Sequence, residues 1–340
     1  MHALITGVAG FIGSTLAARL LAEGHYVLGV DSFTDYYARA LKESNLTPLC
    51  QHPRFMFYEC QVQSPSVAGL VKGVTHVFHL AGQPGVRGSW GTGFETYVHQ
   101  NIMATLALLE SCVGVPLERF VFASSSSVYG DLGGRDVARE SDLLAPRSPY
   151  GVTKAAAEQL CQAYHVAHGI PCVALRYFTV YGPRQRPDMA FSRFIRAALT
   201  GQPITIYGDG EQTREFTYIE DVVTATVLAG DVGVPGRVYN IGGGEPVSIT
   251  QMVALLEDLI GHSLVVRHED RQAGDARDTA GSAHLAEREL GFMPVVSLRS
   301  GLAAEYEWLK HSLEVGGPYG LFTRSGSTGA QDLAPSHDLL

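Results

Sequence analysis

Cysteine is scarce and unpatterned in this chain. The 340 residues hold five, Cys50, Cys60, Cys112, Cys161 and Cys172, with no CxxC pair. An odd count at such spacing excludes a disulfide framework and suits no zinc site. It is the usage expected of buried free thiols in a reducing compartment. Charge is thin as well: 17% of residues are Asp, Glu, Lys or Arg, and the net charge is −9 with a pI near 5.8. The clustered basic surface of a nucleic-acid binder is missing, although a local arginine cluster can still hold an anion. No apolar run reaches the ~20 residues that span a bilayer. The opening MHALITGVAGFIG has no basic stretch before its apolar run, so it reads as a first strand and not as a signal peptide. Together these absences predict a cytoplasmic protein.

What is present is a globular chain with 46% apolar residues, long enough for one large domain or two smaller ones. Strand-like runs alternate with helical ones. HALIT precedes a helix from Ser14; YVLGVD, FMFYECQV and VTHVFHLAG follow. Then come a helix around Tyr97 to Cys112, the strand ERFVFASSSSVYG, a helix over 150–168 and the strand CVALRYFTVYG. Such alternation predicts an α/β fold, a doubly wound parallel sheet covered on both faces. After Gly182 the elements shorten: a helix near Phe191 to Thr200, the stretch PITIYGDGEQTREFTYIEDV, the strand RVYNIG and a helix from Ile249 to Ile260. The expected division is a nucleotide-binding domain over 1–180, with later contributions near 216–242, and a smaller substrate-binding lobe over 181–315. Residues 321–340 are expected to be a mobile tail. No internal repeat is present.

Gly7-Val8-Ala9-Gly10-Phe11-Ile12-Gly13 is GxxGxxG directly after a strand and opening a helix. Glycines let the backbone turn sharply and approach a pyrophosphate, whose charge the helix N-terminus stabilises. Alone such a stretch marks only a turn. Here Asp31 ends the second strand about twenty residues on, where a carboxylate accepts from the adenosine ribose hydroxyls and repels a 2′-phosphate. The prediction is NAD, not NADP. Leu80-Ala81-Gly82 ends a later strand at the same sheet edge and is placed to line the cofactor.

Tyr150-Gly151-Val152-Thr153-Lys154 is YxxxK at a helix start, with both side chains on one face. A nearby ammonium and a nicotinamide cation lower a phenol's pKa, which makes Tyr150 a candidate general base. The pattern is common by chance. The run Ser124 to Ser127 behind FVFA raises its weight, because a hydroxyl there can share a hydrogen bond with the reacting oxygen.

Glycine loop, Asp31, serine run and Tyr/Lys pair together resemble the extended short-chain dehydrogenase/reductase family of nucleotide-sugar epimerases and dehydratases, over roughly residues 1–310. The resemblance implies a Rossmann-type sheet and a homodimer in which helices near 97–112 and 150–168 pair as a four-helix bundle. It makes Tyr150 the base and Lys154 the partner of the nicotinamide ribose. Ser125, Ser126 and Ser127 then orient the sugar hydroxyl. It places Ser32, Lys42, Gln61, Val62, Asn101 and Tyr177 with the cofactor, alongside Phe11 and Ile12 of the loop. One family feature is absent: Cys60-Gln61-Val62 stands where members carry Asp and an aliphatic residue, leaving Gln61 to meet adenine.

Three stretches are similar to the UDP-glucuronate 4-epimerase branch: Asp31 to Tyr37 followed by Leu41-Lys42, Gln83-Pro84-Gly85-Val86-Arg87, and Arg186-Pro187-Asp188-Met189. Thr179 stands where enzymes for neutral hexoses usually carry Asn, and Gln272-Ala273-Gly274-Asp275 fits the branch's QPGD. The implied reaction is C4 epimerisation of UDP-glucuronate to UDP-galacturonate. Thr179 and Arg186 would hold the carboxylate out of the alignment that releases CO2 from a β-keto acid. Ile206 and Tyr207 would meet uracil, and Arg214 the diphosphate. Arg87, Gln272 and Asp275 complete the expected substrate set. The competing readings are a UDP-glucose/UDP-galactose 4-epimerase, favoured by Arg184-Gln185 and YGDGEQTREFTY, and a UDP-glucuronate decarboxylase. No metal is called for.

Overall fold

The computed structural model describes residues 1–321, apart from Glu245, Gln272 and Ala273. The expected tail therefore lies, from residue 322 on, outside the described residues.

Strand β1 (His2–Thr6) sets the plan. Its alternate residues enter different cores: Ala3 and Ile5 join one apolar cluster, Leu4 the other. A strand buried on both faces belongs at the centre of a parallel sheet. Chain order continues with α1 (Phe11–Ala22), β2 (Tyr26–Asp31), α2 (Arg39–Cys50), β3 (Phe55–Glu59), α3 (Pro65–Val71) and β4 (His76–His79). A continuous helical stretch follows, comprising α4 (Phe94–Tyr97), a π-helical turn (Val98–Met103) and α5 (Ala104–Cys112). Then come β5 (Arg119–Ser125), α6 (Pro149–His168) and β6 (Cys172–Tyr177).

The smaller elements are β7 (Thr179–Tyr181), α7 (Ala190–Thr200), β8 (Ile204–Tyr207), β9 (Thr213–Arg214) and β10 (Phe216–Tyr218). They lead into α8 (Ile219–Asp231) and β11 (Val238–Ile241), then β12 (Val247–Ser248), α9 (Ile249–Ile260), β13 (Val266–Glu269) and β14 (Asp278–Thr279). Helices α10 (His284–Leu290), α11 (Leu298–Glu314) and α12 (Pro318–Leu321) close the described chain.

Seven strands form one sheet in the order β3-β2-β1-β4-β5-β6-β11, every pair parallel. This is the Rossmann-type doubly wound sheet. The order reverses between β1 and β4, and in such sheets ligands bind outside the carboxyl ends at that reversal. Helices α1, α2 and α8 cover one face; α3, α5 and α6 cover the other. Among the described residues no helix is long and apolar enough to cross a membrane.

CVALRYFTVYG reads as one strand but folds as two. Cys172–Tyr177 stays in the main sheet, while Thr179–Tyr181 pairs with β10 in a separate ribbon. The switch occurs at Phe178. Its N–H still donates to Ile241 O (3.1 Å), whereas the next N–H, of Thr179, donates to Glu215 O (3.1 Å). That break turns Thr179 away from the sheet, toward the cleft above it.

Candidate active site

The first cleft lies at the reversal point. Gly7 leaves β1 at φ 74°, and a Cβ there would sit 2.8 Å from Ala81 N. A Cβ on Gly13 would collide with the Gly7 carbonyl oxygen. Helix α1 starts at Gly10 with no side-chain cap, so its first N–H groups stay available to an anion. The Asp31 carboxylate at the tip of β2 accepts from Ala9 N (3.1 Å) and Phe33 N (2.9 Å), which fixes the loop against the strand.

Gly7, Gly10, Phe11, Ile12, Gly13, Asp31, Ser32, Lys42, Val62, Leu80, Ala81 and Gly82 all line this cleft. The glycine cradle, the uncapped helix start and the terminal Asp fit a dinucleotide. Gln61 is exposed and does not line the cleft; Cys60 and Val62 do. Alternation along the chain leaving β3 turns the Gln61 side chain outward, so the adenine contact expected of it is not part of this cleft wall. Asn101 also acts from behind. Buried in the π-turn, it accepts from Gln83 N (2.7 Å) and donates to Gln83 O (3.1 Å) and Thr153 Oγ1 (2.9 Å). It ties the loop after β4 to α6. Lys42 Nζ donates to Thr34 O (2.6 Å) and braces the loop after β2. Thr34, Tyr36, Tyr37, Gln100 and Arg186 also line the cleft and were not assigned to the cofactor from sequence.

Helix α6 is launched by Ser148, whose hydroxyl accepts from Gly151 N (3.1 Å), and by Pro149 in its first turn. That places Tyr150 at the helix mouth and Lys154 one turn deeper. Lys154 Nζ donates to Ala123 O (2.8 Å), and burial brings its pKa down to about 8. Tyr150 meets Tyr97 edge-on, ring centres 6.1 Å apart. Burial raises its pKa, opposed by a hydrogen bond from Ser125 and by the Arg186 charge. The lowering expected from Lys154 is thus not what the chain alone produces. In the protein, burial dominates, and Ser125 and Arg186 are the groups that favour the phenolate.

A buried network beneath the serines escaped sequence reasoning. Glu158, four residues beyond Lys154 and 1% exposed, accepts from Ser124 Oγ (2.7 Å) and from Arg176 Nε (3.0 Å) and Nη2 (2.5 Å). Arg176 Nη1 donates to Tyr129 OH (2.6 Å), which donates to Asn240 Oδ1 (2.7 Å). The network locks α6, β5, β6 and β11 together, two turns along α6 from Tyr150. Its signal was an arginine inside the apolar run VALRY.

The second cleft is lined by Ser125, Ser126, Ser127, Tyr150, Tyr177, Thr179, Arg186, Arg214 and Asp275, among others. It meets the first at Phe11, Ile12, Pro84 and Arg186. Arg147 lines it as well and pairs with Asp131; sequence reasoning did not single it out. Arg186 is not free. Its Nε and Nη2 donate to the two oxygens of Asp188 (3.0 Å each), and Tyr36 OH donates to the same carboxylate (3.2 Å). Burial is the largest influence and opposes its charge, but Asp188, joined by Tyr36 and Tyr37, outweighs it and holds the guanidinium protonated. Arg214 differs: its hydrogen bonds go to carbonyls, Thr213 O (2.7 Å), Arg277 O (2.8 Å) and Ala276 O (2.6 Å). With burial lowering its pKa, it is a desolvated cation aimed at a cleft.

Three expected nucleotide contacts are placed elsewhere. Ile206 is 4% exposed within the core, because alternation on β8 turns it inward. The Tyr207 ring carries the Arg87 guanidinium at 4.2 Å, and Arg87 itself pairs with Asp275 (2.9 Å). Neither lines the cleft. Gln272 lies outside the described residues.

The family model described as "NAD dependent epimerase/dehydratase family" matches residues 3–242. The chain belongs to that family. A Bacillus subtilis (strain 168) protein named "Uncharacterized UDP-glucose epimerase YtcB" is 45% identical over 91% of this chain and 98% of its own. A UDP-glucuronate 4-epimerase of Thermodesulfobacterium geofontis is 38% identical over 92% of this chain and 97% of its own. The crystal structure of UDP-glucuronic acid 4-epimerase from Bacillus cereus, in complex with UDP-glucuronic acid and NAD, is 44% identical. It superposes with a TM-score of 0.89 over 92% of this chain and 99% of that one.

Proposed function

We propose that the chain is an NAD-dependent UDP-glucuronate 4-epimerase, interconverting UDP-glucuronate and UDP-galacturonate. Bound NAD supplies a hydride acceptor that returns what it takes, so the reaction needs no outside redox partner. The chain's residues do the rest. Tyr150 Oη takes the proton of the C4 hydroxyl and gives it back after the 4-keto sugar has turned over. Ser125 holds that oxygen and favours the phenolate. Lys154, fixed on Ala123 O, is the residue that would hold the nicotinamide ribose. Arg214, hydrogen-bonded to carbonyls and with Asp275 and Asp278 nearby, is the partner of the diphosphate.

The observation that carries the glucuronate reading is the placement of Thr179 and Arg186 on the cleft wall that also bears Ser125 and Tyr150. A 4-keto uronate loses CO2 when its carboxylate bond aligns with the ketone π system, and a hydroxyl and a cation on a fixed wall prevent that alignment. Because the Arg186 fork already clasps Asp188, it presents charge at the cleft, not the two-pronged grip expected from sequence. The likeness in fold to the Bacillus cereus enzyme, whose crystal structure holds UDP-glucuronic acid and NAD, supports the same reading.

The UDP-glucose reading is favoured by the name of the 45% relative. Incubation with each UDP-sugar and NAD+, followed by chromatography, separates the two. The proposal expects UDP-galacturonate from UDP-glucuronate, without pentose and faster than UDP-galactose from UDP-glucose. The reverse preference would overturn it. We further place the protein in the cytoplasm as a homodimer through α5 and α6. The exposed Met103, Val113, Val152 and Val166 lie at or beside these paired helices.

A further inference from the structure

Tyr36 belongs to the loop that leaves β2, and it lines the cofactor cleft with Ser32, Thr34 and Tyr37. That loop is braced twice. Asp31 accepts from Phe33 N (2.9 Å), and Lys42 Nζ donates to Thr34 O (2.6 Å). Phe33 adopts φ 50°, with the Arg39 guanidinium 4.2 Å above its ring. The course of the loop is therefore set on the cofactor side, yet the Tyr36 hydroxyl reaches the sugar side.

There it donates to Asp188 Oδ2 (3.2 Å), the oxygen that also accepts from Arg186 Nη2 (3.0 Å). The Arg186 guanidinium stands 5.6 Å from the centre of the Tyr36 ring. Gly85, in the loop after β4, has φ 96°, and a Cβ there would collide with the Tyr36 hydroxyl oxygen. Gly85 lines the sugar cleft, and Pro84 and Arg186 line both clefts. The hydroxyl thus rests where the two clefts meet. Burial, then the Asp188 charge, push the Tyr36 phenol above its ordinary pKa, so it stays a donor. Two of the five guanidinium N–H groups of Arg186 go to Asp188. Where that carboxylate stands decides where the others point.

We propose that Tyr36 is a positioning residue for the uronate: it holds Asp188, Asp188 holds Arg186, and the fixed guanidinium meets the sugar carboxylate. It thereby sets the preference for a carboxylated sugar, although it stands on the cofactor wall. The proposal rests on the uronate reading above. A hydroxymethyl group in the carboxylate's place forms no ion pair with Arg186, so a neutral sugar is indifferent to Tyr36.

The test compares a Tyr150→Phe parent, in which turnover is slowed, with the same protein carrying Tyr36→Phe as well, both saturated with NAD. UDP-glucuronate and UDP-glucose are titrated calorimetrically, and NAD affinity is read by fluorescence. Tyr36→Phe should weaken UDP-glucuronate about 3–10-fold, the scale of one hydrogen bond, and UDP-glucose and NAD less than two-fold. Added to Asp188→Ala it should weaken UDP-glucuronate less than two-fold, because the hydroxyl then has nothing to hold. With Tyr150 intact, Tyr36→Phe should raise KM for UDP-glucuronate by the same factor while kcat stays within two-fold. Unchanged affinity for UDP-glucuronate, equal weakening of both sugars, a loss confined to NAD, or a full loss in the Asp188→Ala background overturns the proposal. A parent that binds UDP-glucose as tightly as UDP-glucuronate overturns the uronate reading and this proposal with it. A preference for UDP-glucuronate that survives Tyr36→Phe undiminished overturns this proposal alone.

Discussion

The two clefts of this protein are built from different materials. The cofactor cleft is made largely of backbone at the carboxyl edge of a parallel sheet: a glycine turn, an uncapped helix start, the ends of β2 and β4. The sugar cleft is made of side chains brought from β5, α6, β7, β9 and the segment before β14, and several are already engaged with one another. Backbone fixed by a sheet is rigid and indifferent to what fills it. Side chains held in pairs are adjustable, and a substrate must compete with or exploit those pairs. The difference predicts that lesions in the sugar cleft change turnover and specificity while leaving the cofactor in place.

The sharpest way to break that comparison is Tyr150→Phe. Loss of the phenolic proton carrier should lower kcat by about 10²–10⁴-fold, with NAD affinity, read by fluorescence titration, within a few-fold of wild type. Loss of NAD binding would show that the two clefts are not separable. Glu158→Gln probes the shared floor. Leaving the Arg176 charge buried without its partner should destabilise the protein by about 3–5 kcal/mol in urea denaturation, and both clefts should suffer.

Arg186→Ala comes next. The account expects a rise of about 10–100-fold in KM for UDP-glucuronate, the scale of one or two charge-assisted hydrogen bonds, or release of pentose product. Asp188→Asn sharpens the point, since it frees the guanidinium fork and should change KM while kcat holds.

The smallest effect sits on the cofactor side. His79 hydrogen-bonds Thr6 Oγ1 (2.7 Å) and Thr105 Oγ1 (3.0 Å), and Thr6 Oγ1 in turn accepts from Ala81 N (3.2 Å). Burial, helped by the Lys154 charge, pushes its pKa down to about 3 from 6.5. The unfolded chain therefore binds a proton that the folded one refuses as pH falls below 6.5. The stability due to the neutral ring is complete above that pH and declines toward 3, by at most about 1.4 kcal/mol per pH unit. His79→Gln should flatten this slope in melting curves between pH 6.5 and 4.5; an unchanged slope would remove His79 from the explanation.

What could be read from the sequence follows the same division. GxxGxxG before a helix, and Asp31 ending the next strand, place themselves, because each is defined relative to its own strand. The Tyr150/Lys154 pair is legible for the same reason: helical spacing alone puts both on one face. Ile206 and Tyr207 fall outside the second cleft's lining, because a short strand outside the main sheet has no fixed inner face until it is packed. Gln61 falls outside the first cleft's lining by one position of alternation. The Glu158–Arg176 network stayed hidden because it runs on to Tyr129 and Asn240, 111 residues apart, and Tyr36 joins the neighbouring Arg186–Asp188 pair from 152 residues away. The break at Phe178 went unseen because β-rich residues continue on both sides of it.

The most direct test of the central claim is to supply UDP-glucuronate deuterated at C4 and follow the label by NMR in product separated by chromatography. The account predicts UDP-galacturonate with deuterium retained at C4, no net NADH and no UDP-pentose. Label lost to solvent, or UDP-pentose as the main product, would contradict it.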